Sequence, residues 1–175
     1  MNLRKIAIVG PESTGKSLLS QQLADHFQTA WVEEYAREFL NQLGREYQQA
    51  DLIDIAKGQL ALEEERAIEA NSFLFCDTNL LVIKVWSEFV FGGVDPWLLE
   101  NMKLGTYDLH LLTDIDLPWE EDPLREHPYR RKELFDIYRK ELLSAGVPFE
   151  IVSGKGPDRI TSALKALEAH SLVPA

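Results

Sequence analysis

Apolar residues along this chain follow two alternating rhythms. Short unbroken runs at Arg4 to Val9, Phe73 to Cys76, Tyr107 to Thr113 and Pro148 to Val152 read as strands buried on both faces, and a shorter strand is expected near Thr29 to Glu33. Between the runs, apolar positions recur every three or four residues, as in Leu19, Leu23 and Phe27. The same spacing predicts helices at Tyr35 to Leu43, Asp51 to Ala70, Leu80 to Phe91, Arg130 to Ser144 and Asp158 to His170, with Gly44 and Gly146 as stops. Asp95-Pro96 can open a short additional helix. In Asp51 to Ala70, Leu52, Ala56, Leu60 and Ala67 point inward and Glu63-Glu64-Glu65 forms a solvated face. Leu80 to Phe91 is apolar almost all round and therefore either lies under other protein or lines a pocket. Strands alternating with helices predict an α/β fold, a parallel sheet with helices on both faces, in one domain spanning residues 1–175.

The first strand runs directly into Gly10-Pro11-Glu12-Ser13-Thr14-Gly15-Lys16-Ser17, which satisfies G-x-x-x-x-G-K-[ST] at every fixed position. Glycines at these places let successive backbone N–H groups curl inward, and the helix that follows adds the positive end of its dipole. The loop, with Leu18 after it, is expected to hold the phosphates of ATP. Lys16 would reach the β and γ phosphates, and the Ser17 hydroxyl would ligate Mg²⁺.

Net charge changes which partners are plausible. The formal charge of −11 argues against a nucleic-acid surface, which needs clustered Lys and Arg. No apolar run of membrane-spanning length and no charged-then-apolar leader occur in these residues, which predicts a cytoplasmic protein without a membrane partner. The lone Cys76 allows no intrachain disulfide, and the four scattered histidines lack metal-ligand spacing.

Ligands of parallel sheets bind outside the carboxyl ends of the strands. The second strand delivers Glu34-Tyr35-Ala36-Arg37 there, and the third delivers Asp77-Thr78-Asn79. Asp77 follows four apolar residues, an expensive place for an acid unless it emerges at the functional edge or caps the next helix. Either Asp77 or Glu34 could accept a proton from an attacking hydroxyl, and Asp77 could hold Mg²⁺. Glu34 and Arg37 share a helix face suited to a hydroxylated substrate, Tyr35 and Trp86 could stack on a ring, and Asn79 lies beside them. Residues 114–131 are rich in proline and charge and read as a lid, whose Arg125 and Arg131 would close over the transferring group. Gly156, in the loop after the fifth strand, would meet the base of the nucleotide.

Together these stretches resemble the ribosylnicotinamide kinase domains of NadR proteins. The resemblance is carried by G-P-E-S-T-G-K-S, by Glu34-Tyr35-Ala36-Arg37-Glu38, by Phe75-Cys76-Asp77-Thr78 and by Trp119-Glu120-Glu121-Asp122-Pro123-Leu124-Arg125. It implies a P-loop kinase fold with a five-stranded parallel sheet in the order 2-3-1-4-5. It also implies ATP and Mg²⁺ as cosubstrates and nicotinamide riboside as the acceptor that becomes NMN. Some members of that family place an aromatic residue directly before the E-Y pair; this chain has Glu33 there and Trp31 two positions earlier. Other classes of P-loop protein remain open, a hydrolysing NTPase or a nucleotide sensor. Against the first, there is no N-K-x-D motif and Thr78, not a glutamate, follows Asp77.

Overall fold

A computed structural model describes residues 3–173. Five strands form one sheet: β1 (Arg4–Val9), β2 (Trp31–Val32), β3 (Phe73–Asp77), β4 (Leu109–Thr113) and β5 (Phe149–Val152). Every pairing is parallel and the order is β2-β3-β1-β4-β5. The helices are α1 (Lys16–Phe27), α2 (Tyr35–Leu43), α3 (Asp51–Glu69), α4 (Leu80–Phe91), α5 (Pro96–Asn101), α6 (Arg131–Ala145) and α7 (Pro157–Ala169). No described helix is long and apolar enough to cross a membrane.

The alternation of side chains along each strand builds two cores. Ile6, Ile8, Phe73, Phe75, Leu109 and Leu111 face α1 and α7, packing on Leu19, Leu23, Ala163 and Leu167. Ala7, Val9, Leu74, Cys76 and Leu112 face the other way, onto Leu81, Val85, Leu134, Tyr138 and Leu142 of α4 and α6. A slip of one residue would exchange the two sets, so the pattern fixes the register. A third cluster joins α2, α3, α4 and α5 and holds up one wall of the functional edge.

Two elements are shorter than their patterns suggest. β2 pairs with β3 only through Trp31 and Val32, because the Gln59 side chain then takes over the backbone, accepting from Tyr35 N–H and donating to Glu33 C=O. β4 begins at Leu109 because a 3₁₀ turn at Leu104–Thr106 captures Tyr107 N–H.

The acidic triplet requires a correction. Glu64 and Glu65 are exposed, but Glu63 is 4% exposed and turned inward. Its carboxylate accepts from Lys5 Nζ at 2.7 Å and from Tyr107 Oη at 2.7 Å, so two partners satisfy it under the sheet. Helix α3 is also held close by a glycine. A Cβ at Gly58 would fall inside the ring of Tyr35. Gly58→Ala is therefore expected to cost about 1–3 kcal/mol, a melting-temperature loss of roughly 2–12 °C readable by calorimetry.

Candidate active site

The phosphate loop joins β1 to α1 and curls as its sequence requires. Gly10 has φ 143°, and a Cβ there would overlap Thr113 Oγ1. Ser13 and Gly15 have φ of 55° and 74°. Thr14 is fully buried and its hydroxyl bridges Pro11 C=O and Thr113 Oγ1, each at 2.7 Å, locking the loop to the end of β4. Lys16 Nζ donates to Pro11 C=O at 2.8 Å, and Ser17 is exposed.

Asp77 ends β3 in register with Ile8 and is 1% exposed, yet neither carboxylate oxygen has a hydrogen-bond partner among the described residues. Burial, then the charge of Glu34, pushes its carboxyl up to about 7, while Lys16, the Ser17 hydroxyl and Arg37 draw it down less. Thr78 follows with φ 73°, a left-handed conformation that a β-branched residue adopts only under constraint. Its N–H donates to Ile8 C=O at 3.0 Å, pinning the turn that presents Asp77. The next helix is capped by Asn79, whose Oδ1 accepts from Leu81 N–H, so capping falls to Asn79 and leaves Asp77 free.

A cavity of about 500 Å³ opens above the loop. One wall is the phosphate loop from Gly10 to Leu18; the other is built from Glu34, Arg37, Tyr47, Trp86, Phe89 and Tyr138. Trp86 Nε1 donates to Tyr47 Oη at 3.1 Å, and that hydroxyl donates to Glu126 at 2.8 Å. The Tyr47 and Trp86 rings meet edge-on at 5.0 Å.

The segment 114–130 contains no helix and lies closed over the cavity. Arg125 Nη1 donates to Glu120 C=O at 2.6 Å and approaches Ser13 Oγ at 3.4 Å, which sets its guanidinium against the phosphate loop. Arg37 is paired across the cavity mouth with Asp122 at 2.9 Å.

Several expected contact residues lie elsewhere, and Asp77 itself, buried at the end of β3, is not among the residues that line the cavity. Tyr35 is turned away from the cavity and packs on Gly58 of α3 and on Phe39. Asn79 is spent as the helix cap and does not line the cavity. Arg131 donates to Ser13 C=O and Leu117 C=O, so it fastens the lid and does not reach inward. Gly156 precedes α7 with φ 54° and stands outside the cavity wall. Trp31 packs against the first core cluster, and Glu33 pairs with Arg66. The aromatic surface of the cavity comes from Tyr47, Trp86 and Phe89 instead.

Sequence patterns also miss Arg159, which is 5% exposed and gathers the site's framework. It donates to Asp116 Oδ1, Gly154 C=O, Thr14 C=O and Asp114 C=O, at 2.7–2.8 Å. The available signal was its position: a cation in the first turn of α7 opposes the helix dipole and needs acceptors outside the helix.

A family model described as an AAA domain matches residues 5–159. The chain belongs to that AAA domain family. Over 127 residues, 70% of this chain, it is 31% identical to the trifunctional NAD biosynthesis/regulator protein NadR of Escherichia coli (strain K12). The matched stretch is only 31% of that relative's length. A crystal structure of NadR protein in complex with NR superposes with a TM-score of 0.78 at 20% identity, covering 97% of this chain and 52% of the other. A deoxyadenosine kinase from M. mycoides, with a TM-score of 0.58 at 16% identity, covers 97% of this chain and all of its own length. The fold of this AAA domain protein is thus that of the P-loop nucleoside kinases, with the sheet order the motifs implied, and the NadR resemblance is borne out.

Proposed function

We propose that this chain is an ATP-dependent kinase that phosphorylates a ribosyl hydroxyl, with nicotinamide riboside as the acceptor and NMN as the product. The observation that carries the reading is Asp77, a buried carboxylate with no hydrogen-bond partner among the described residues, close to Lys16, Ser17 and Glu34, which line a cavity roofed by an arginine-bearing lid. A purely structural acid this deeply buried is normally paired within the protein. The orphaned oxygens of Asp77 and the exposed Ser17 hydroxyl would suit a hydrated Mg²⁺ arriving with ATP, which would supply positive charge to offset that of the phosphates.

The residues then divide the work. The N–H groups of the phosphate loop hold the triphosphate, and Lys16 turns from Pro11 C=O onto it. Asp77 accepts the proton of the acceptor hydroxyl, with Glu34 as the alternative base, and Arg37 holds the ribose side. Arg125 meets the charge that develops on the transferring group, and the closed lid excludes water. The acceptor wall combines the rings of Tyr47, Trp86 and Phe89 with the carboxylates of Glu34 and Glu126. Such a lining favours a flat ring that carries positive charge, as the pyridinium of nicotinamide riboside does. The setting for this chemistry is the cytoplasm, where ATP is abundant and a lone cysteine stays reduced.

ADP release with and without a panel of ribosides tests the reading. Strong stimulation by nicotinamide riboside, above adenosine and uridine, is the expected result; release that ignores every acceptor would describe an NTPase, and binding without release a sensor. A pH profile adds a second check. Because the base form of Asp77 is the deprotonated one, kcat/KM is expected to fall about tenfold per pH unit below about pH 7 and to level off above it. The absence of an acid limb near 7 would take Asp77 out of the role of base.

A further inference from the structure

The sequence pattern G-x-x-x-x-G-K-[ST] leaves its third position unspecified, and a nucleotide needs only the backbone there. Glu12 occupies that position, and its carboxylate is turned toward the lid. It accepts from His127 N–H at 3.0 Å and from Glu126 N–H at 3.2 and 3.3 Å. Those two donors immediately follow Arg125, whose guanidinium lies over Ser13, the residue after Glu12. Ser13 itself accepts from Glu120 N–H at 2.9 Å through its hydroxyl. The crest of the phosphate loop is therefore gripped at both ends of the segment 120–127, with Arg125 inside the grip.

We infer that Glu12 is a positioning residue that latches the lid through the backbone N–H groups of Glu126 and His127 and thereby sets Arg125 over the transferring phosphoryl group. Two features support a latch over a passive contact. A carboxylate bonded to two adjacent backbone N–H groups fixes the path of that backbone, because each bond is charge-assisted and directional. The contact also joins segments 114 and 115 residues apart in sequence, so nothing local to the lid replaces it. A lid held this way closes in one place and keeps water from the γ-phosphate; a lid without the latch samples positions in which Arg125 is displaced and water enters.

The catalytic half of this inference rests on the kinase reading, and the mechanical half does not. In the nucleotide-free protein, Glu12→Ala is expected to speed trypsin cleavage after Arg125 and Arg130 by about tenfold, the factor expected for losing bonds to a charged acceptor, with a melting-temperature loss of only about 3–6 °C. In turnover, the ratio of acceptor phosphorylation to acceptor-independent ADP release is expected to fall about tenfold. Glu12→Gln, which keeps an acceptor oxygen without the charge, is expected to recover part of both losses. Adding Glu12→Ala to Arg125→Ala is expected to cost less than a further twofold in transfer, since Glu12 acts through Arg125. Unchanged cleavage would overturn the latch. Faster cleavage with an unchanged partition ratio, or an equal loss in both backgrounds, would overturn its link to Arg125. If no acceptor stimulates the wild-type protein, the kinase reading fails while the cleavage comparison still decides the latch.

Discussion

Asp77→Asn is expected to reduce turnover by about 10³-fold and, at pH 8, to raise the melting temperature. The two effects have one cause. Asp77 is buried, has no hydrogen-bond partner, and faces the negative charge of Glu34, so the fold opposes its ionisation and holds its carboxyl near 7. That same environment makes it a base able to take a proton near neutral pH. Its folded value lies above the ordinary 3.8, so the fold binds the proton more tightly than the unfolded chain does. The stability associated with that proton is fully present below about pH 4, is lost as pH rises, and is gone above about 7. A gap of about 3 between the two values amounts to roughly 4 kcal/mol at most. Asparagine carries no charge to desolvate, so its advantage should be largest at pH 8 and shrink toward pH 4. Calorimetry of both proteins at the two pH values, beside turnover at pH 8, checks the pair of effects. An unchanged turnover would remove Asp77 from the chemistry, and a lower melting temperature at pH 8 would show that its burial carries no electrostatic cost.

Lys16→Ala is expected to lower kcat/KM by about 10³-fold while leaving the melting temperature of the nucleotide-free protein within about 2 °C. Among the described residues its ammonium donates only to Pro11 C=O, and the side chain is half-buried. Little packing is therefore lost when it is removed. In the proposed kinase it would be the loop's cation nearest the phosphates, in a site closed from water by the lid, where a charge acts most strongly. Steady-state kinetics with thermal melting separates the two. A large drop in melting temperature would mean that Lys16 serves mainly to hold the loop together.

What the sequence made legible was local. Runs such as Ile6 to Val9 and Phe73 to Cys76 specify buried strands wherever they fall, and Gly10 to Ser17 specifies its own curl through residues in direct succession. Asp77 was legible because an acid after four apolar residues is anomalous by itself. The misread positions depend on partners far along the chain. Glu63 looked solvated because Lys5 and Tyr107 lie 58 and 44 residues away. Tyr35 shares a tetrad with Glu34 and Arg37, but the first turn of α2 sends its ring to Gly58 while Glu34 and Arg37 line the cavity. Composition marked residues 114–131 as a lid, yet could not show that Asp122 would meet Arg37, 85 residues earlier. Tyr47 sits in an irregular loop with no periodicity to mark it, and only the folded chain brings it against Trp86.

The most direct test of the central claim follows the γ-phosphate itself. With ATP labelled in that group and nicotinamide riboside present, the label should appear as a phosphomonoester of the riboside, in amounts equal to the ADP formed. Label recovered as inorganic phosphate, at a rate indifferent to the riboside, would contradict the account.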